Sequence, residues 1–269
     1  MQVLEIEPET IFRTTDINIG KTNSFVPCRF YQYSESINLP LVVFAHGGGW
    51  VLGGLNEYDN FCRRMANSGS CNVISIGYRL APENPYPAAL EDVIQVFSSL
   101  AQIKSQLNIK PVKIIGAGDS AGGNLIAVSS TMLSDNIKPS SQILIYPVTD
   151  VSEKRLSYEK FGKNFLLDEN VMDWFINSYV ANSEATDPHI SVIRSSELGR
   201  SPETFLITAG LDPLRDEGND YAKKLETFSI RVTHRHYESM LHGFMGMPKA
   251  LNASKLAFAE VGAWIQSRI

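Results

Sequence analysis

Gly118-Asp119-Ser120-Ala121-Gly122 lies between an apolar run at 112–115 and a second apolar run at 124–128. The first run predicts a buried strand and the second predicts a helix, so Ser120 would stand at the apex of a tight turn. Glycines on both sides of a serine suit such a turn, because its backbone is strained and the helix must pass close to neighbouring strands. This pattern is typical of a nucleophile elbow.

The same residues also fit the Gly-x-Gly-x-x-Ala pattern of dinucleotide-binding folds, over 116–121. That fold needs an acidic residue at the end of the next strand. Asp135 has a suitable spacing, but it falls in a turn at 135–139, ahead of the strand at 141–145. The dinucleotide interpretation is therefore the weaker of the two.

Length and charge restrict the class of protein. The chain has 269 residues, 24 of them basic and 29 acidic, for a formal net charge of −5. This length suits one large α/β domain. The acidic balance argues against a nucleic-acid partner or a stable membrane association. Cys28, Cys62 and Cys71 form neither a metal-binding spacing nor an even disulfide framework. With no signal-peptide pattern and no long apolar run, we expect a cytoplasmic protein.

Strand-like and helix-like segments alternate along most of the chain. Two alternating runs at 11–19 and 25–33 predict an antiparallel hairpin. Further strands are predicted at 41–45, 72–76, 112–115, 142–146, 204–208 and 231–237. Helices are predicted at 57–66, 87–106, 120–133, 217–228 and 249–268. The alternation predicts an α/β fold with a mostly parallel sheet flanked by helices.

Residues 147–202 break this alternation. They contain no clear strand and one amphipathic helix at 168–180. Insertions at the strand ends of such sheets often cover the binding crevice. We therefore expect a cap or lid at 147–202, inserted into a core formed by 1–146 and 203–269.

A serine nucleophile needs a base to take its proton and a third group that fixes the tautomer of the base. Of the five histidines, His242 follows the last strand in a loop and is the best candidate base. Asp212 follows the strand at 204–208 and is the best candidate acid, with Asp150 as a substitute. Asp216 and Glu217 fall in the first turn of the next helix, where the helix dipole favours any carboxylate.

The negative charge that forms on an attacked carbonyl oxygen needs hydrogen-bond donors. His46-Gly47-Gly48-Gly49 follows the buried strand at 41–45, and glycine N–H groups can approach a substrate closely. The N–H of Ala121, at a helix start, would supply another donor. We expect His46 to brace this loop.

Aromatic residues near these motifs are candidates for an acyl-binding pocket, and we retain Trp50, Phe165 and Phe244. Ser157 and Lys160 match the Ser-x-x-Lys pattern of penicillin-binding enzymes. They lie in a helical stretch of 147–202 without a Lys-Thr-Gly partner, so we expect no nucleophile there.

Five ordered blocks resemble the hormone-sensitive lipase family of α/β-hydrolase carboxylesterases, over roughly residues 39 to 265. The blocks are His46-Gly47-Gly48-Gly49-Trp50, Tyr78-Arg79-Leu80-Ala81-Pro82-Glu83 with the following Tyr86-Pro87-Ala88-Ala89-Leu90-Glu91-Asp92, Gly118-Asp119-Ser120-Ala121-Gly122-Gly123-Asn124, Asp212-Pro213-Leu214-Arg215-Asp216-Glu217 and His242-Gly243-Phe244.

The resemblance implies an α/β-hydrolase fold and a serine carboxylesterase that forms an acyl-enzyme on short- to medium-chain acyl esters. It implies no cofactor and no metal, and a homodimer through the last strand at 231–237. The implied site residues are Ser120, Asp212 and His242 as the catalytic triad, with Gly48, Gly49 and Ala121 as the oxyanion hole.

Two alternatives remain open beside this resemblance. An amidase, a formamidase or a deacetylase would use the same triad. A binding module without catalysis is the alternative from another class, although His242 argues against it. Family members usually carry several tens of residues more before the hairpin, as part of the cap. This chain has about ten, so we expect a reduced cap and a more open crevice.

Overall fold

A single eight-stranded sheet organises the chain in a computed structural model that describes residues 7–21 and 24–269. The strands are β1 (Arg13–Lys21), β2 (Ser24–Gln32), β3 (Leu41–Ala45), β4 (Asn72–Ile76), β5 (Ile114–Asp119), β6 (Ser141–Ile145), β7 (Glu203–Leu211) and β8 (Val232–Leu241). Their order across the sheet is β1-β2-β4-β3-β5-β6-β7-β8. β2 pairs antiparallel with both β1 and β4, and the remaining pairs are parallel.

Eight α-helices connect and cover these strands in the part of the chain that is described. They are α1 (Asp59–Gly69), α2 (Ala88–Ser98), α3 (Leu100–Gln106), α4 (Ala121–Met132), α5 (Leu156–Phe161), α6 (Glu169–Val180), α7 (Arg215–Thr227) and α8 (Asn252–Gln266). Single-turn 3-10 helices occur at Val192–Arg194, Leu198–Arg200 and Phe244–Gly246. Among the described helices, none combines the length and the apolar character needed to span a bilayer.

Strand β3 is buried on both faces, which explains its continuous apolar sequence. Val43 contacts the core on the side of α2 and α4, whereas Phe44 contacts the core on the side of α1 and α8. Successive side chains of a strand point to opposite faces, so one uninterrupted apolar run serves both cores. The predicted mostly parallel α/β sheet and its edge hairpin are confirmed. Residues 22–23, between β1 and β2 in the sequence, lie outside the described residues.

Several predicted element bounds need correction. The helix predicted at 87–106 is two helices, because Ser99 leaves helical geometry between α2 and α3. The strand predicted at 112–115 begins at Ile114 and continues to Asp119. Gly118 therefore lies inside this strand rather than in the turn. A Cβ at Gly118 would overlap the backbone of Gly122. A glycine that weakens strand propensity is thus required for the approach of α4.

Residues 147–202 contain α5, α6 and two of the 3-10 turns. The helix predicted at 168–180 is observed as α6. Buried side chains of the sheet-flanking helices hold this segment: the amide of Asn124 on α4 donates to the carbonyls of Val148, at 3.1 Å, and Ile190, at 2.8 Å. The division of the chain into a core and a cap stays a prediction.

Glu217 on α7 anchors the start of the same segment. Its Oε1 accepts the backbone N–H groups of Thr149, at 2.7 Å, and Asp150, at 3.2 Å. Burial raises the pKa of Glu217 to about 8, against the opposing effect of these two donors. The folded protein therefore binds a proton at neutral pH that the unfolded chain releases.

The free energy of unfolding should consequently fall with rising pH between the unfolded and folded pKa values of Glu217. Glu217→Gln keeps the Oε1 acceptor and removes the titration. Between pH 5 and pH 8 the stability of the unmodified protein relative to this variant should fall by about 3 kcal/mol, measured by urea unfolding. Glu226→Gln, at an exposed position of α7, serves as the control. Parallel stability profiles for the protein and Glu217→Gln would contradict the assignment.

Gly262 on α8 lies against the backbone of α1, and a Cβ there would overlap the carbonyl of Ser68. Alanine normally stabilises a helix relative to glycine. Here Gly262→Ala should instead lower the free energy of unfolding by about 1–3 kcal/mol, because the two helices must separate. Gly199→Ala, where the added Cβ would meet only the Phe228 ring at 3.4 Å, is the control for thermal and urea unfolding. Stabilisation by Gly262→Ala would refute the close approach.

Candidate active site

The sharp turn between β5 and α4 presents Ser120 at the carboxyl end of the central strands. Ser120 has φ 52° and ψ −120°, a conformation that costs free energy for a residue with a side chain. Its N–H donates to the carbonyl of Ile145 at 2.9 Å, which ties the turn to β6. A Cβ at Gly122 would overlap the carbonyl of Ala45, so only glycine lets the start of α4 lie against β3. These contacts fix the direction of the serine side chain.

Three side chains from distant segments meet at this edge of the sheet. Nε2 of His242 lies 3.0 Å from Oγ of Ser120, and Nδ1 lies 2.7 Å from Oδ2 of Asp212. Asp212 is fully buried, and its Oδ1 accepts the N–H of Leu214 at 2.8 Å. Because a carboxylate only accepts, Nδ1 carries the ring proton and Nε2 is left to accept from the serine hydroxyl. The structure thus brings the three predicted residues into one hydrogen-bonded series.

The glycine run after β3 faces the same serine. Gly48 has φ 109° and Gly49 has φ 61°, conformations that glycine adopts readily. The N–H of Gly47 is already bound, since it donates to Oδ1 of Asp119 at 2.7 Å. Within residues 7–21 and 24–269, the N–H groups of Gly48, Gly49 and Ala121 donate to no protein acceptor. These three groups are available to a ligand beside Ser120.

Asp119 connects the turn to the glycine run. Besides Gly47, it binds Tyr58, whose hydroxyl donates to Oδ2 at 2.8 Å. Asp119 is buried, and burial raises its pKa to about 6 although both donors favour the charged form. We call this arrangement of Gly47, Asp119 and Tyr58 the Asp119 clamp. It fixes the glycine run relative to the turn that carries Ser120.

His46 packs against the glycine run from within the core. Its Nδ1–H donates to the carbonyl of Gly47 at 2.7 Å, and its ring stacks on Tyr78 with 4.2 Å between centroids. Burial lowers the pKa of His46 to about 4, so the ring is neutral at physiological pH. The position agrees with a bracing side chain rather than a reacting one.

A crevice of about 150 Å³ lies over Ser120 and His242. Its apolar wall comes from residues 147–202 and consists of Leu167, Met172 and Phe175. Sequence reasoning missed these residues and Tyr58. The spacing of three between Met172 and Phe175 on the amphipathic helix was the signal that could have identified the helical part of the wall.

Trp50 and Phe244, which the sequence predicts to line an acyl pocket, are both fully buried and do not line the crevice over Ser120. Trp50 stacks on Tyr179 with 4.4 Å between the ring centroids, and Phe244 packs against Tyr237 at 4.9 Å. Phe165 is half-buried and lies outside the crevice wall. These aromatic residues stabilise the core or other contacts instead.

The substitute carboxylate and the other sequence motifs lie away from the serine. Asp150 binds Arg155 and Arg194 rather than His242. Ser157 is buried and donates its hydroxyl to the carbonyl of Pro213. Asp135 forms an exposed ion pair with Lys138 at 2.8 Å, ahead of β6, and is not at a strand end. In the described part of the chain, no group of three histidine, cysteine or acidic residues could hold a metal ion.

The chain also matches a known family and known proteins. The alpha/beta hydrolase fold family matches residues 42–246. Carboxylic ester hydrolase LipN of Mycobacterium tuberculosis is 37% identical over 249 residues, which are 89% of this chain and 66% of LipN. The chain therefore spans slightly under two thirds of that relative. Arylesterase of Saccharolobus solfataricus is 31% identical over 97% of this chain and 85% of its own length.

Solved structures show the same architecture. An esterase from Pyrobaculum calidifontis superposes with a TM-score of 0.92 and 36% identity, covering 97% of this chain and 86% of its own. EstE1, a thermophilic carboxylesterase cloned from a metagenomic library, gives a TM-score of 0.92 and 35% identity, covering 96% and 90%. The fold is thus shared with esterases.

Removing the hydroxyl of Tyr58 tests the Asp119 clamp. In Tyr58→Phe the buried Oδ2 loses its donor, which should cost about 1–3 kcal/mol of stability. The loss should be larger at pH 8 than at pH 5, because Asp119 is charged above its pKa of about 6. Urea unfolding at both pH values measures it. Tyr237→Phe removes a similar bond to Glu260, 2.7 Å long, on a half-exposed strand, and should cost less. A loss that does not depend on pH would count against the clamp.

Proposed function

This chain belongs to the alpha/beta-hydrolase family that is related to hormone-sensitive lipase, and on that premise we propose that it is a serine carboxylesterase that works through an acyl-enzyme. The observation that carries the proposal is the contact series from Ser120 through His242 to Asp212, with distances of 3.0 Å and 2.7 Å. The relatives' names, carboxylic ester hydrolase, arylesterase and esterase, support an ester as the substrate.

In the first step, Oγ of Ser120 attacks the ester carbonyl carbon while Nε2 of His242 takes the hydroxyl proton. The carbonyl oxygen becomes an oxyanion, and the N–H groups of Gly48, Gly49 and Ala121 donate to it. Donors that are held in place before the reaction need no reorganisation when the charge forms, so their contribution is large.

The tetrahedral intermediate then collapses. The bond to the leaving alcohol oxygen breaks, and His242 gives its proton to that oxygen, which leaves the acyl group on Ser120. Water next attacks the acyl carbon with His242 again acting as the base, and the acid is released with the serine hydroxyl restored. In both acylation and deacylation, His242 gives up the proton that it has taken, so no further acid or base is needed.

Asp212 stabilises the imidazolium of His242 that forms during acylation and again during deacylation. Its carboxylate fixes the protonated Nδ1 toward the core, so Nε2 always faces the serine. Because Asp212 is fully buried, solvent does not compete for this bond. Without the carboxylate, the other tautomer would place a proton on Nε2 and block proton transfer.

The acyl chain would lie against Leu167, Met172 and Phe175. These residues bring the 147–202 segment over the crevice, which supports its role as a lid. A crevice of about 150 Å³ suits short to medium acyl chains better than long ones. β8 lies at the edge of the sheet, a position that suits strand pairing with a second copy.

Ser120→Ala should lower kcat/KM for 4-nitrophenyl butyrate by about a thousandfold or more, because no other group can form the acyl-enzyme. It should also abolish labelling by a fluorophosphonate probe. Ser157→Ala removes the serine of the Ser-x-x-Lys motif and is the matched control, which should still be labelled. A matched butyramide separates esterase from amidase activity. Turnover that persists in Ser120→Ala would exclude this mechanism.

A further inference from the structure

A second cavity of about 200 Å³ adjoins the catalytic crevice. The two share Tyr58, Asp119 and Gly243 in their walls. Beyond that shared wall, the second cavity lies between α1, the 3-10 turn after His242 and α8. Its apolar lining from these elements includes Phe61, Met245 and Phe258. It therefore shares a wall with the crevice and is otherwise built from different elements than the crevice wall at 147–202.

The second cavity lies on the histidine side of the site. Gly243 directly follows His242 in the chain, and Tyr146, which also lines the cavity, has its ring centroid 4.8 Å from that of His242. The leaving alcohol oxygen must come within hydrogen-bond reach of Nε2 to receive its proton. Leu167, Met172 and Phe175 line the crevice and do not line the second cavity. The acyl group can thus contact the crevice wall at 147–202, while the alcohol group can contact the lining of the second cavity.

We propose that the second cavity is the leaving-group subsite and that it takes the ring of an uncharged aromatic alcohol. This inference rests on the proposed esterase function. Four aromatic rings contribute to the lining, from Tyr58, Phe61, Tyr146 and Phe258. Aromatic walls bind a planar ring through large contact areas and edge-to-face or offset-stacked geometry.

Charge at the cavity disfavours an anionic alcohol. Arg64 lies in the lining with its guanidinium 5.7 Å from the Phe258 ring, but it is already paired with Glu9. Glu57 also lines the cavity and is exposed, and among the described residues it forms no ion pair. With Arg64 neutralised and Glu57 unpaired, the local charge is negative. A carboxylate on the leaving group would therefore be repelled.

Two pairs of esters distinguish an effect on the alcohol subsite from an effect on the acyl subsite. Benzyl butyrate and methyl butyrate differ only in the alcohol, whereas methyl octanoate and methyl butyrate differ only in the acyl chain. The variant is Gly246→Trp, because Gly246 lines the second cavity and a Cβ there would meet no atom within 4 Å. Gly199→Trp places the same side chain on the surface, where an added Cβ would meet only the Phe228 ring at 3.4 Å.

In Gly246→Trp, the benzyl-to-methyl ratio of kcat/KM should fall about tenfold or more, since the indole occupies the space of the benzyl ring. The octanoate-to-butyrate ratio should change much less. Gly199→Trp should change neither ratio. A fall in the octanoate ratio instead would assign the cavity to the acyl chain, and unchanged ratios in Gly246→Trp would show that no part of the ester enters it; either result overturns the proposal.

Glu57→Gln tests whether the negative charge of Glu57 repels an anionic leaving group from the second cavity. The ratio of kcat/KM for 4-carboxybenzyl butyrate over benzyl butyrate should rise about threefold, and added salt should diminish the difference. An unchanged ratio would remove Glu57 from the subsite. If Gly246→Trp does not fold, as judged by circular dichroism, Gly246→Leu replaces it with a smaller expected effect.

Failure of this inference can be told from failure of the proposed function. Ester hydrolysis that is lost in Ser120→Ala supports the function whatever the benzyl ratios show. Binding of benzyl alcohol to Ser120→Ala, followed by NMR titration, needs no catalysis. Gly246→Trp in the Ser120→Ala background should weaken this binding about tenfold. Equal binding with and without the tryptophan would refute the subsite even in a protein that hydrolyses no ester.

Discussion

The close approach of α4 to β3 is the constraint on which the site depends. It exists because Gly122 has no side chain to strike the carbonyl of Ala45. With the two backbones in contact, the glycine run after β3 lies beside Ser120 at the start of α4. The Asp119 clamp then fixes that distance through two hydrogen bonds of 2.7 and 2.8 Å. A backbone contact and a buried carboxylate together hold Ser120 and the glycine run in one geometry.

Buried carboxylates have different tasks in this molecule. Asp119 and Glu217 both accept backbone N–H groups of loops, so Asp119 fixes a loop to β5 and Glu217 fixes a loop to α7. Burial raises the pKa of each toward or beyond neutrality. Asp212 is equally buried but pairs with His242. Burying these carboxyl groups costs free energy of folding, but their hydrogen bonds fix the loops, so the site is ordered before any ligand binds.

Two residues of the Asp119 clamp belong to the wall that the two cavities share, so the clamp also contributes to the proposed substrate preference. Tyr58 and Asp119 line both cavities and are joined by a hydrogen bond of 2.8 Å. On one side lie residues of the 147–202 segment, and on the other lie α1 and α8. In our proposal the acyl group and the alcohol group of an ester occupy these two sides. Changes in the segment and changes in α1 would then alter different halves of the substrate preference.

The sequence alone was sufficient to predict the parallel α/β sheet and to single out Ser120, Asp212 and His242, which the structure brings within hydrogen-bond distance of one another. Those inferences use local chemistry, since apolar runs mark strands and polar residues after them stand at one edge of the sheet. Only the tertiary structure decided which aromatic residues are buried in the core and which line the crevice. Trp50 looked like a lining residue beside the glycine run, yet it is buried under Tyr179 from a helix far along the chain. Tyr58 and the second cavity were equally invisible in the sequence, because burial and cavity shape arise from contacts between segments that no local pattern brings together.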